Sequence, residues 1–129
     1  MTTVTYSFSK IYAGNRPWAD VSLNPLVSPV VTLKCLVDTG ADYLQINQAD
    51  AIHAGISLVG ATPTSVSTVA GSTTLQLVTG VKVSIEGSKI LTVDVLVDTT
   101  NSTKPPLAGR LLLLAAFDLG FDISQWLST

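Results

Sequence analysis

Charge is scarce in this chain, and so are the residues that build most active sites. Of 129 residues, seven are Lys or Arg and nine are Asp or Glu, for a formal net charge of −2. No run of basic residues occurs, which argues against nucleic-acid binding through a cationic surface. Cys35 is the only cysteine, so an intramolecular disulfide and any cysteine-built metal cluster are excluded. His53 is the only histidine. That removes Ser-His or Cys-His chemistry in any form needing a second histidine, and it leaves zinc poorly supplied with ligands. The longest apolar run, Leu111–Phe117, is too short to span a bilayer. The N-terminal stretch Met1–Tyr6 has neither a basic segment nor a long apolar one, so no signal peptide is expected. The expectation is a cytoplasmic protein with no membrane or nucleic-acid partner.

What the chain does have is apolar bulk: 47% of its residues are hydrophobic. This excludes a disordered chain and suits a single domain, residues 1–129, with one core. Val, Thr, Ile and Leu dominate, and turn residues recur at short intervals, which reads as all-β. Strands are expected over Val4–Tyr12, Ala19–Leu23, Val30–Val37 and Gln45–Asn47. A short helix follows over Gln48–Ala54, with Asn47 as N-cap, Asp50 at the third helical position and Gly55 as terminator. Thr62–Ala70 and Thr73–Thr79 form a hairpin about Gly71-Ser72, and Val81–Glu86 and Lys89–Val97 pair across Gly87-Ser88. A polar loop over Asp98–Pro106 leads to a second helix, Arg110–Leu119, ended by Gly120. The tail Phe121–Thr129 can add a last strand.

One tetrapeptide carries chemistry. Asp38-Thr39-Gly40-Ala41 stands directly behind the apolar run Leu33–Val37, so a strand delivers a carboxylate into a tight turn. Downstream, Leu107-Ala108-Gly109-Arg110 leads into a helix, and a hairpin with a glycine tip lies between the two. This order resembles the retroviral-type aspartic proteases (retropepsins) over roughly Arg16–Phe121. The resemblance implies a closed β-barrel, one lobe per chain, with one or two short helices. It makes Asp38 the catalytic carboxylate, Thr39 the residue that locks two active-site loops across a dimer, and Gly40 and Ala41 the remainder of that loop. Asp42 and Arg110 match positions that form a structural ion pair. Val69, Ala70 and Gly71 would sit at the tip of a flap over the substrate, and Leu107 on the cleft wall. No metal or organic cofactor is implied.

Such chemistry needs two carboxyl groups sharing one proton. Leu96-Val97-Asp98-Thr99 repeats Leu36-Val37-Asp38-Thr39, but Thr100 replaces the glycine that a catalytic loop needs. The expected partner is therefore Asp38 of a second copy, met across a twofold axis, with terminal strands interleaving as an interface sheet. The expected function is an aspartic endopeptidase acting as a homodimer on extended polypeptides with hydrophobic residues at the scissile bond. The alternative is a catalytically silent binding module of the same fold.

Overall fold

Alternation of apolar and polar residues sets most of the strands, because successive side chains of a strand face opposite ways. In the computed structural model, which describes residues 6, 8–68, 71–100, 102–116, 119–121 and 124–128, ten strands and two short helices are present. They are β1 (Phe8–Ile11), β2 (Trp18–Leu23), β3 (Val31–Val37), β4 (Leu44–Asn47), α1 (Gln48–His53), β5 (Thr62–Thr68), β6 (Gly71–Ile85), β7 (Leu91–Asp98), β8 (Leu107–Ala108), α2 (Arg110–Ala116), β9 (Leu119–Phe121) and β10 (Gln125–Ser128). The all-β expectation holds.

Six strands pair in the order β2-β3-β8-β4-β7-β6, and β6 returns to pair with β2. The pairings thus close into a ring around the core. On β2 the alternation buries Ala19, Val21 and Leu23. On β3 it buries Cys35 and Val37, and on β4 Leu44 and Ile46. Leu112 and Leu113 of α2 join the same core. The hairpin of β5 and the first half of β6 extends from the ring, paired from Thr62↔Leu77 to Thr68↔Gly71.

Two small devices tie the ends of the chain to the ring. Strand β10 buries Trp126 completely, and its indole Nε1 donates to the Trp18 carbonyl at 2.8 Å. On β1, the Lys10 ammonium lies 2.5 Å from Glu86 Oε1 and 3.1 Å from Asp20 Oδ2. Burial by itself lowers the Lys10 pKa, but hydrogen bonds and charge attraction from Glu86 and Asp20 together outweigh it and raise it. Helix α1 is capped as the sequence predicts: the Asp50 N–H donates to Asn47 Oδ1 at 2.9 Å, and Gly55 follows at φ 72°.

Two features differ from expectation. The segments Thr73–Thr79 and Val81–Glu86 belong to one long strand, β6, not two. Gly80, at φ 72°, absorbs the interruption as a bulge, and the register with β7 shifts between Val78 and Val81. Helix α2 is described over Arg110–Ala116, and Leu119, expected at the end of the helix, lies instead in β9, antiparallel to β10. Within the chain, Phe8–Ile11 pairs with Gln125–Ser128. Of the predicted strand Val4–Tyr12, residues 4, 5 and 7 lie outside the described residues.

Cys35 is fully buried on β3, and its thiol is pushed up to about 12, first by burial and then by the charges of Asp50 and Asp20. Because the raised pKa keeps the thiol protonated, a thiol-specific reagent at pH 8 is expected to leave it unmodified in the native protein and to label it fully in denaturant. Rapid stoichiometric labelling of the native chain would contradict this burial.

Candidate active site

Strands β3 and β4 are consecutive in the chain but are not neighbours. Strand β8 lies between them, parallel to β3 through Leu36↔Leu107 and Val37↔Ala108, and antiparallel to β4 through Gln45↔Leu107. The connection from β3 to β4 must therefore cross the end of β8. That connection is Asp38–Tyr43, and it carries the Asp-Thr-Gly-Ala motif.

The crossing is held by backbone hydrogen bonds. The Asp38 N–H donates to the Ala108 carbonyl at 3.0 Å, and the Ala41 N–H to the Asp38 carbonyl at 3.2 Å. The Arg110 N–H donates to the Ala41 carbonyl at 2.7 Å, and the Leu111 N–H to the Asp42 carbonyl at 2.9 Å. The first N–H groups of a helix have no partner inside it, and α2 has no acidic residue in its first turn. Carbonyls of the motif loop take the place of a capping side chain. Loop and helix start are thus one hydrogen-bonded unit.

Gly109 makes that unit possible. A Cβ there would lie 2.6 Å from the carbonyl carbon of Tyr43 and 2.7 Å from its nitrogen, so two backbones touch where no side chain fits. Gly40 has a second role. Its N–H donates to Asp38 Oδ1 at 2.9 Å, and a Cβ would come within 3.2 Å of the same oxygen. One oxygen of the carboxylate is therefore oriented by the backbone, and the side chain is half-buried beside the exposed Thr39.

Around this centre stand several of the residues singled out from the sequence. Arg110 Nη2 meets Asp42 Oδ1 at 2.8 Å. Both side chains are more than half exposed, so the pair contributes about 1 kcal/mol at most to stability. Its effect is to clasp the loop to the start of α2 a second time. Leu107 is half-buried and lies directly across from Leu36, two residues before Asp38. Gly71 opens β6 at φ 118°, opposite Thr68, at the end of the projecting hairpin. Val69 and Ala70, expected at the hairpin tip, lie outside the described residues.

Asp98 does not join the site. Its Oδ1 accepts from the Thr100 N–H at 2.8 Å and from the Thr100 hydroxyl at 2.6 Å. It closes its own turn at the far end of β7, whose last residue pairs with Asn47 while β4 begins near the motif loop. Four residues of β4 place it about 10 Å or more from Asp38. Among the described residues, no three His, Cys, Asp or Glu side chains gather as a metal site would require.

Sequence reasoning missed the carbonyls of Ala41 and Asp42 as partners of α2, and Tyr43 as the backbone against Gly109. The available signal was a helix that begins at Gly-Arg with no capping residue before it.

The chain matches the family model described as gag-polyprotein putative aspartyl protease over residues 29–113. That span holds the motif loop, both strands of the projecting hairpin and the Gly109-Arg110 element. No curated protein matches the chain.

Proposed function

The chain belongs to the gag-polyprotein aspartyl protease family, and on that premise we propose that it is an active aspartic endopeptidase that works as a homodimer. One observation carries the reading: a single carboxylate, Asp38, is presented in a turn whose next glycine orients one of its oxygens, on a loop hydrogen-bonded to Ala108, Arg110 and Leu111.

Each chain supplies one lobe and one Asp38. Two carboxyls about 3 Å apart cannot both ionise, so the pair holds one proton and titrates as a unit. The ionised member takes a proton from a water molecule, which attacks the scissile carbonyl carbon. The protonated member donates to the carbonyl oxygen, giving a tetrahedral gem-diol. A proton then passes to the amine nitrogen, the C–N bond breaks, and the shared proton is restored. Thr39 links the two loops across the axis. The projecting hairpins, with Gly71 at the end of each, cover an extended substrate bound by strand addition, and Leu107 lines the cleft for apolar side chains.

The dimer makes activity concentration-dependent. Cleavage of an unfolded protein, followed with sedimentation across micromolar to low nanomolar concentration, is expected to show activity per chain falling in step with the dimer fraction. Pepstatin is expected to inhibit it. Full activity per chain from a sedimenting monomer would overturn the dimeric site, and no cleavage by a verified dimer would leave the binding-module reading.

A further inference from the structure

The register of the sheet lays out a row of residues that the core does not use. Direct cross-strand partners run from Leu36 to Leu107, to Gln45, to Leu96 and to Leu77. Residues directly opposite each other share a face of the sheet. Their chain neighbours Val37, Ala108, Ile46, Val95 and Val78 belong to the core or pack against it, so the row occupies the other face. It begins two residues before Asp38 and ends in the stem of the projecting hairpin, where Leu75 is 1% exposed although it lies outside the main core cluster. This is the band that a chain lying between the motif loop and the hairpin would cross.

Four of its five members are leucine, and the exception is Gln45. It is half-buried between Leu107 and Leu96, beside a small cavity bounded also by Asp98, Ser102 and Pro105. Among the described residues its carboxamide makes no hydrogen bond. A leucine would complete the apolar band. An unpaired amide there loses hydration on substrate binding unless the substrate returns a hydrogen bond.

We infer that Gln45 is a specificity-determining residue whose carboxamide lines a subsite for an Asn or Gln side chain of the substrate, the two amides exchanging a pair of hydrogen bonds. This rests on the proteolytic reading above. Gln45 stands two strands from β3, about 10 Å, which is up to about three residues of extended chain. The subsite therefore serves the second or third residue from the scissile bond, and the twofold axis repeats it on the other side.

The test is a peptide-library cleavage profile of the wild-type dimer, Gln45→Leu and Gln45→Glu, each checked for its native melting transition. Wild type is expected to favour Asn or Gln over Leu about tenfold in kcat/KM at one such position and at its symmetry mate. Gln45→Leu is expected to reverse that order there and nowhere else. Gln45→Glu, which keeps the length and adds charge, is expected to move the preference toward Lys and Arg. No cleavage by wild type would refute the proteolytic reading. Cleavage with no carboxamide preference, or with one that survives Gln45→Leu, would refute this inference alone. A wild-type preference for Lys or Arg that disappears in Asp98→Asn would assign the subsite to Asp98 and overturn it as well.

Discussion

Asp38→Asn is expected to lower kcat by about a thousandfold or more while leaving the fold intact. The substitution is nearly isosteric, and the Asn side-chain oxygen can still accept the Gly40 N–H that Asp38 Oδ1 accepts at 2.9 Å. What is lost is the ability to hold and release a proton. In the proposed dimer both carboxyls vanish together, so neither the base that activates water nor the acid that protonates the carbonyl remains, and general acid–base contributions of about 10²–10⁴ each are removed. Stability should hold or rise, because the one negative charge that the two carboxyls share at the axis no longer has to be taken out of water. Initial rates on an unfolded protein substrate, read beside the thermal transition and the sedimentation coefficient, check both halves. Residual activity within tenfold of wild type would remove Asp38 from the chemistry. Equal loss of activity and of dimer would assign it to assembly.

Gly109→Ala is expected to destabilise the protein by about 3 kcal/mol or more and to abolish activity with it. The added methyl would sit 2.6 and 2.7 Å from backbone atoms of Tyr43, and no rotamer change can relieve a clash with main chain. Overpacking a tight site commonly costs about 1–3 kcal/mol, and more where the neighbour is rigid. Here the neighbour is the loop whose Ala41 and Asp42 carbonyls hold the first turn of α2. Loop and helix must part, which also moves Asp38 from its place. Denaturant unfolding should show a lowered midpoint with an unchanged slope. A midpoint shift below about 1 kcal/mol would mean that Tyr43 and Gly109 are free to separate, and that the loop is not the rigid support described here.

These two sites differ in how far they were legible beforehand. Asp38-Thr39-Gly40-Ala41 behind an apolar strand is a local pattern, set by residues that touch along the chain. The cap at Asn47, the stop at Gly55 and the pairing of β5 with β6 are local in the same sense, and each was readable. Asp42 and Arg110 were also readable, though distant in sequence, because the resemblance implies an ion pair between those two positions. The bulge at Gly80 was not: the glycine reads as a break between two strands, Thr73–Thr79 and Val81–Glu86, and only pairing with β7 on both sides of it shows one strand running through.

By itself, the sequence determined the residue types and their local order: a β-rich chain, one carboxylate in a glycine turn, one Gly-Arg element, and no second catalytic loop. Only the tertiary structure decided that β8 lies between β3 and β4, that Gly109 is pressed against Tyr43, and that Gln45 interrupts a row of leucines. The physical reason is that strand order and register come from closing a ring of strands far apart in sequence. The hydrogen bonds that close it are between backbones, which every residue carries alike, so the side-chain pattern says that a segment is a strand but not which strand lies beside it.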